Sequence, residues 1–361
     1  MKNRAKNILS VLIALGGMAA VGMLFILLFP IFPPFVCGLF CLTCVSPILL
    51  YANVKKAPKG SYRCFCNLVG GALTVPMLYL LIYSGIIGCI GLGLTICKGN
   101  ISSTLNKYLL LVCLVLTVLT VLCGMLHARR VKVVRYQIKA DVKKPVKIAF
   151  FSDTHIGAFS PAMHIQKIVS KIKKEEPDLV LFGGDLLDLD VPKGKKASKI
   201  TALLSSLGGI IACEGNHDLH ERSTPEQCAF LEDTNVTLLR DSIYTDKQSG
   251  LIILGRQSSK APRADLPAIA SEKIDILLDH DPKYASEALA LGVPLVLCGH
   301  THKGQTFPGN LLRRFTTSYF YGCYTVDGAH VITTAGCGST GLAVRSLITN
   351  EIVIINIVPD K

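Results

Sequence analysis

Acidic residues are nearly missing from the first part of this 361-residue chain. Up to Pro145 the only carboxylate is Asp141, whereas acids slightly outnumber bases beyond residue 150, so the net charge of +13 belongs to the first part. The second part also lacks a basic stripe interleaved with aromatic residues, which is typical of nucleic-acid-binding domains. The charge distribution therefore argues against nucleic acid as a partner.

Charge of either sign is missing between Lys6 and Lys55, and prolines interrupt this uncharged run. A membrane span needs about 20 apolar residues, so the run predicts two spans folded as a hairpin. The uncharged stretches Arg63 to Lys98 and Tyr108 to Met125 predict a third and a fourth span. A hydrophobic content of 50% and a mean hydropathy of +0.46 agree with a membrane protein. A cleaved signal peptide would explain the first stretch alone.

The positive charges that flank these stretches predict their orientation. Lysine and arginine are concentrated before the first span, between the second and third, and after the fourth. Because cytoplasmic loops carry an excess of such residues, both termini are expected in the cytoplasm, on a multi-pass protein of the inner membrane. If the stretch that contains Pro76 were itself a hairpin, the second part would lie on the opposite side.

The five cysteines after residue 150 lack the regular spacing of a disulfide framework, which agrees with a reducing compartment.

The hydrophobic stretches and the distribution of charge predict the domain boundaries. They are a transmembrane region at 1–127, a basic linker at 128–146 and a catalytic domain at 147–361.

In the catalytic domain, apolar runs typical of buried strands alternate with helical segments. Val146 to Phe151 predicts a strand, Ser160-Pro161 opens a helix to about Lys174, and Asp178 to Phe182 predicts the next strand. Such alternation predicts an α/β fold with a largely parallel sheet. Ligands of such sheets bind beyond the carboxyl ends of the strands.

Metal-ligating side chains occur at those strand ends, and five of the nine histidines lie among them. Carboxylate, amide and imidazole ligands without a thiolate suit Mn²⁺, Fe or Zn²⁺. A pair of such ions can acidify a water and neutralise the phosphoryl oxygens of a phosphate ester. Asp188 and Asp190 can be interpreted equally well as solvated loop acids, and they are not counted among the ligands. The polar runs are Asp153-Thr154-His155, Gly184-Asp185-Leu186-Leu187-Asp188, Gly215-Asn216-His217-Asp218, His280 and Gly299-His300-Thr301-His302.

The order of these runs resembles the calcineurin-like metallophosphoesterase superfamily. The resemblance implies a β-sandwich flanked by helices and two divalent metal ions, with Mn²⁺ as the first candidate and Fe or Zn²⁺ as others. It also implies that His217 contacts the phosphate and helps the leaving group depart, while Asp218 orients His217. The implied ligands are Asp153, His155, Asp185 and His302 for one metal and Asp185, Asn216, His280 and His300 for the other, with Asp185 as the bridge.

The C-terminal motifs are similar to the bacterial membrane-associated branch of this superfamily. They are Ile276-Leu277-Leu278-Asp279-His280-Asp281-Pro282, Gly299-His300-Thr301-His302-Lys303-Gly304-Gln305, and Gly338-Ser339-Thr340-Gly341 followed by Arg345 and Glu351-Ile352. The branch includes proteins assigned as UDP-2,3-diacylglucosamine pyrophosphatases, which belong to lipid A biosynthesis. Lys303 replaces a glycine that is usual in this branch, and Ala343 replaces a common proline. Two interpretations of Lys303 stay open: it adds a cation at the site, or it points to solvent.

These inferences together predict a membrane-anchored phosphohydrolase whose partners are the lipid bilayer and an amphiphilic, phosphate-containing substrate. The bond cleaved would be a phosphoester or pyrophosphate bond, as in UDP-2,3-diacylglucosamine. Two alternatives stay open: a general phosphodiesterase acting on a soluble or phospholipid substrate, and a non-catalytic metal-binding module that regulates a membrane protein.

Overall fold

A computed structural model describes residues 61–99, 103–157, 160–188, 191–218, 225–270, 273–339 and 343–360. The two spans predicted between Lys6 and Lys55 lie outside these residues. The chain divides into two compact units, with the boundary between Cys123 and Gly124. This boundary falls close to the predicted end of the transmembrane region at residue 127.

Two long helices, α1 (Ser61–Lys98) and α2 (Ser103–Ala128), correspond to the predicted third and fourth spans. α1 continues through Pro76, so this stretch is one helix and not a hairpin. The windows Thr74–Gly91 and Lys107–Ala128 are long and apolar enough to cross a membrane. Of these windows, 33% of the first and 17% of the second are buried. Within the described residues these two windows are the candidate spans, against four predicted from the whole sequence.

The unit from Gly124 onward contains two six-stranded sheets. In spatial order, the strands of the first sheet are β1 (Val131–Ala140), β12 (Asn350–Pro359), β2 (Val146–Phe151), β3 (Leu179–Phe182), β4 (Ile210–Cys213) and β5 (Val236–Leu239). Strands β2 to β5 are parallel, β12 is antiparallel to β2, and β1 is parallel to β12.

The basic linker predicted at residues 128–146 is wrong for most of its length, because it contains β1. This strand pairs with β12 from Val131 to Ala140, at the edge of the sheet. Lys132, Arg135 and Lys139 are exposed along it, and lysines on an edge strand are a common protection against pairing with another chain. The positive charges that indicated a linker are therefore those of an edge strand, and the catalytic unit begins earlier than predicted.

The second sheet has four parallel central strands with one antiparallel strand at each edge. In spatial order, its strands are β10 (Gly322–Val326), β11 (Ala329–Thr333), β9 (Leu295–Cys298), β8 (Ile276–Leu278), β7 (Ile252–Gly255) and β6 (Ser242–Thr245).

The core lies between the two sheets, which face one another. Ile148 and Phe150 of β2 pack in one cluster with Leu278 of β8 and Leu297 of β9. Because side chains alternate along a strand, Phe151 lies on the other face, in the cluster beneath the helices. Full burial of such a side chain stabilises the fold by roughly 1.5–3 kcal/mol.

Helices cover both outer faces of this sandwich, as the resemblance implied. The buried residues of α3 (Ala162–Glu175), α4 (Gly194–Ser205) and α5 (Pro225–Glu232) pack on the first sheet, and those of α6 (Leu266–Ile269) and α7 (Ala285–Ala290) pack on the second. A further helix, α8 (Gly309–Thr316), has no buried residue.

Candidate metal centre

The loops that follow β2, β3, β4, β8 and β9 carry the five polar runs. β2, β3 and β4 are parallel neighbours in the first sheet, and β8 and β9 are parallel neighbours in the second. Parallel neighbours bring their carboxyl ends to one edge. The two edges are connected by His280, whose Nδ1 lies 2.7 Å from the carbonyl oxygen of Gly183.

One group of predicted ligands consists of Asp153, His155 and His302, whose ligand atoms lie within 4.8 Å of one another. The Nε2 atoms of His155 and His302 are 3.0 Å apart, and His302 Nε2 is 3.4 Å from Asp153 Oδ1. All three residues are buried. These are three of the four residues predicted for the first metal.

A second group consists of Asp185, His280 and His300, whose ligand atoms also lie within 4.8 Å of one another. His280 Nε2 is 3.1 Å from Asp185 Oδ2 and 3.2 Å from His300 Nδ1. Asp185 Oδ2 is also 3.8 Å from His155 Nε2 in the first group. The structure thus brings six of the seven predicted ligands together around Asp185, all except Asn216, and their binding of metal stays a prediction.

The backbone at these positions adopts an uncommon conformation. Positive φ angles occur at Asp153 (53°), His155 (43°), Asp185 (58°), His300 (68°) and His302 (49°). Non-glycine residues rarely adopt this left-handed region, and such conformations cluster at functional sites when the surrounding fold enforces them. Five of the seven predicted ligands are held in this way.

Glycines adjoin the carboxylates because no larger residue fits. A Cβ on Gly215 would collide with the carboxylate and the backbone nitrogen of Asp185, and a Cβ on Gly299 with the carboxylate of Asp153. The glycines of the Gly-Asn-His-Asp and Gly-His-x-His runs therefore allow the loops to approach the two aspartates closely.

Electrostatics prepare the imidazoles to act as neutral ligands. Burial lowers the pKa of His155 to about 4 and that of His300 to about 4, and it holds the pKa of His302 well below its usual range. At neutral pH these three rings are uncharged, the form in which histidine binds metals.

The buried carboxylates and His280 form a charged group at the centre. Burial raises the pKa of Asp153 to about 6. Burial also acts to raise the pKa of Asp185, but the neighbouring His280 and His155 outweigh it and hold this pKa well below its usual range. Burial acts to lower the pKa of His280, but the charge and hydrogen bond of Asp185 raise it to about 10. His280 is therefore a protonated partner of Asp185 that must lose its proton before it can bind a metal.

Two buried polar atoms test whether the residues fit a metal pair. Asn216 Oδ1 and His155 Nδ1 have no hydrogen-bond partner among the residues that the structure describes. A buried amide oxygen without a partner is costly, whereas amide oxygens are common ligands of divalent cations. The Asn216 oxygen, together with the carboxylates and imidazoles, fits a divalent metal better than it fits a metal-free polar core.

The two residues predicted to be catalytic lie beside this centre. The ring of His217 stacks edge-on against His155 at a centroid distance of 4.8 Å, and its side chain is 17% exposed. The carboxylate close to its Nδ1 is Asp188, at 3.5 Å. Asp188, which the sequence left as a solvated loop acid, is thus the residue positioned to orient His217.

The role predicted for Asp218 changes accordingly. Its Oδ1 accepts a hydrogen bond from the backbone N–H of Leu187, and its Oδ2 accepts from those of Leu186 and Gly215. Burial raises its pKa to about 6. Asp218 therefore joins the loop after β3 to the loop after β4. The resemblance had implied a different role for it, the orientation of His217.

Arg345 is a buried cation to which the sequence assigned no role at the site. Its guanidinium donates to the carbonyl oxygens of Ala335 and Gly338 and lies 3.3 Å from Nδ1 of His302. Burial lowers its pKa to about 10. The sequence signal is a single arginine after a glycine-rich run, and only the fold turns it toward a predicted ligand.

Lys303, for which the sequence allowed either a cation at the site or a lysine pointing to solvent, packs against an aromatic ring. Its Nζ lies 3.9 Å from the ring centroid of Tyr321. The hydroxyl of Tyr321 donates to Glu351, which also pairs with Lys132 at 3.2 Å. The charge of Lys303 is thus part of a small cation–π and ion-pair cluster next to His302.

Comparisons with known proteins agree with this site. Residues 146–304 match the family described as calcineurin-like phosphoesterase. An uncharacterized metallophosphoesterase of Helicobacter pylori (strain J99) is 31% identical over 227 residues, 60% of this chain and 60% of the relative. A transmembrane protein with metallophosphoesterase domain from Danio rerio is 27% identical over 264 residues, 66% of this chain and 60% of the relative.

The chain thus spans about three fifths of the length of these relatives. Among solved structures, the phosphoesterase Yfce from E. coli is similar to it at 12% identity, with 53% of this chain and 80% of that chain covered. The TM-score for this pair is 0.30.

Proposed function

We propose that the chain, whose residues 146–304 match the calcineurin-like phosphoesterase family, is a membrane-anchored, two-metal hydrolase of a phosphoester or pyrophosphate bond. The observation that carries this proposal is the position of Asp185, whose Oδ2 lies 3.1 Å from His280 Nε2 and 3.8 Å from His155 Nε2. One carboxylate can therefore serve two metal positions, as two-metal hydrolysis of phosphate esters requires.

The residues of the chain have distinct tasks in this reaction. Two divalent ions held by the predicted ligands would acidify the attacking water and neutralise the phosphoryl oxygens. His217, which is partly exposed at the edge of the site, donates a proton to the leaving oxygen. Asp188, 3.5 Å from His217 Nδ1, orients the ring and stabilises its protonated form. Asp218 keeps the loops that carry Asp185 and His217 in register.

The candidate membrane spans favour an amphiphilic substrate. A site tethered to a bilayer meets substrates of that bilayer at a raised effective concentration. A lipid-linked nucleotide such as UDP-2,3-diacylglucosamine, cleaved to a lipid phosphate and a nucleoside monophosphate, fits this arrangement. The Danio rerio relative is named as a transmembrane protein, which supports the anchoring. The proposed location is the cytoplasmic face of the inner membrane.

Activity of the full chain in detergent with Mn²⁺ tests the proposal. A generic phosphodiester, a phosphomonoester and a diacylglucosamine nucleotide are compared as substrates, with Asp185→Asn as the inactive variant. Asp141→Asn is the matched control, because that carboxylate is 91% exposed and outside the site. Hydrolysis that persists in Asp185→Asn would contradict the bridging role. Metal binding without hydrolysis of any substrate would favour the regulatory module, and turnover of the soluble diester alone would favour the general phosphodiesterase.

The proposed orientation is tested separately by a reporter fused after Lys361. An enzyme reporter that is active only outside the cytoplasm should stay silent. A positive signal would place the catalytic unit on the other side of the membrane.

A further inference from the structure

Helix α8 exposes apolar side chains that a soluble surface would not be expected to show together. Leu311, Leu312 and Phe315 are 50%, 61% and 79% exposed, and Phe307 just before the helix is 44% exposed. At about 100° of rotation per residue, the three helical side chains fall within one arc of about 100°. Clustered exposed apolar residues mark interaction surfaces, whereas single ones need no explanation.

The polar residues of α8 lie away from this apolar arc. By the same rotation, Arg313 is about 150° from the centre of the arc and Arg314 about 110°, so Arg313 lies nearly opposite and Arg314 at the flank. Both arginines are exposed. An exposed helix with an apolar face, aromatic and leucine side chains, and flanking arginines is the pattern of a helix that lies in a membrane interface.

The polar side of α8 adjoins the metal centre. Gly304, two residues after His302, packs against the backbone of Asn310, so closely that a Cβ at position 304 would overlap it. By the same rotation, Asn310 lies about 150° from the centre of the apolar arc. α8 thus has the metal centre on one side and its apolar arc on the other.

An anionic bilayer surface is the occupant that matches the apolar arc best. The arc supplies leucine and phenylalanine for the acyl boundary, and the arginines match the negative charge of anionic headgroups. The catalytic unit is also joined covalently to a candidate span, because only two residues separate the end of α2 at Ala128 from the start of β1 at Val131. A second protein molecule would not need the basic flank, and a bound acyl chain would not need so exposed a face.

We propose that α8 is an interfacial helix, which inserts Leu311, Leu312 and Phe315 into the surface of an anionic phospholipid bilayer and so holds the metal centre at the membrane. The inference rests on the proposed membrane anchoring and adds a second point of attachment. Its consequence is that the phosphate of an amphiphile can reach His300 and His302 while its acyl chains stay in the bilayer.

The chain contains no tryptophan, so a single introduced tryptophan reports on its own surroundings. The full chain with Phe315→Trp is reconstituted in phosphatidylcholine vesicles that contain a minor fraction of phosphatidylglycerol. Leu291→Trp is the matched control, because Leu291 is 41% exposed and follows α7, at the end of the second sheet opposite the metal centre. Emission and its quenching by brominated lipids are measured for both, and the share of protein retained after an alkaline wash is measured in parallel.

We expect the tryptophan at position 315 to emit at shorter wavelength in vesicles than in the unfolded protein, where denaturant exposes it to water. We also expect brominated lipid to quench most of its emission. The tryptophan at position 291 should lose little. Equal and weak quenching at both positions would overturn the inference. A blue shift at position 315 without quenching would also overturn it, since another protein surface would then cover the helix.

The two proposals fail separately. Protein that resists the alkaline wash but is not quenched at position 315 retains its anchor and lacks the interfacial helix. The opposite result is a tryptophan at position 315 that is quenched before the wash, in protein that the wash then removes. Such protein has the interfacial helix and lacks a membrane-spanning anchor.

Discussion

Replacement of Gly215 by alanine is the sharpest test of the site as a packed arrangement. A Cβ at this position would lie well inside 3.0 Å of both the Oδ1 and the backbone nitrogen of Asp185, and real Cβ atoms essentially never approach so closely. The φ angle of Gly215 is outside the left-handed region, so alanine is conformationally allowed and only the collision acts. Because one of the two colliding atoms belongs to the backbone, a side-chain rotation cannot relieve it.

The magnitude follows from this geometry. Asp185 must move by about 1 Å, and a misplacement of that size costs up to about 100-fold in rate. Overpacking of a buried position typically costs about 1–3 kcal/mol of stability. We therefore expect Gly215→Ala to lose about two orders of magnitude in kcat/KM and to need more Mn²⁺ for half-maximal activity, while it remains folded.

The assay is hydrolysis of a chromogenic phosphodiester across a Mn²⁺ titration, with thermal unfolding measured on the same samples. Gly328→Ala is the matched control, since Gly328 has a φ of 84° but nothing within 4 Å of an added Cβ. It should lose about 1–2 kcal/mol of stability through backbone strain alone and keep its Mn²⁺ requirement. The reasoning would be refuted by a Gly215→Ala variant whose rate and Mn²⁺ requirement match those of the unaltered protein.

Three further predictions follow from the same site. Asp185 raises the pKa of His280 to about 10, so this pair stabilises the metal-free protein fully below pH 6.5 and loses that contribution toward pH 10. Mn²⁺ binding at pH 7 should therefore release a proton, which calorimetry in buffers of different ionisation enthalpy should detect. A binding enthalpy that does not depend on the buffer would contradict the ion pair. Asp188→Asn should lower kcat about 10-fold, equivalent to about 1.4 kcal/mol, and leave the thermal midpoint unchanged. A fall in the thermal midpoint that accompanies the fall in kcat would mean that Asp188 is structural. Burial raises the pKa of the Cys213 thiol well above its usual range, so mass spectrometry after alkylation of the native protein at pH 8 should find Cys213 unmodified, and rapid labelling would show that the core between the sheets opens.

Pattern and spacing predicted the catalytic unit well where the local signal was strong. The strand Val146–Phe151 has the bounds that its apolar run indicated, and the strand predicted at Asp178 to Phe182 is Leu179–Phe182. A buried parallel strand is continuous in apolar residues and is bounded by glycine or polar residues, so its ends are readable. The Ser160-Pro161 pair predicted the start of the next helix. The Ser160 hydroxyl does not cap that helix, because it donates to the carbonyl of His155 and accepts from the backbone N–H of Gly157.

Where charge carried the prediction, the structure differed. The basic residues of β1 indicated a linker, because their charges outweighed the strand pattern, and only the pairing with β12 turns them into an edge strand. β12 comes from the far end of the chain, more than 200 residues away. No local pattern contains that partner, so the limit of the catalytic unit depends on tertiary structure.

The sequence by itself determined which residue types stand at the strand ends, namely carboxylates, imidazoles and an amide, and these are the types that a metal pair requires. It also determined the apolar character of α1 and α2. Only the tertiary structure decided the neighbours: that Asp188 faces His217, that Asp218 joins two loops, that Arg345 lies against His302, and that α8 turns its apolar arc outward. Chemistry is a property of each residue, whereas distance between residues far apart in the chain exists only after the two sheets have packed together.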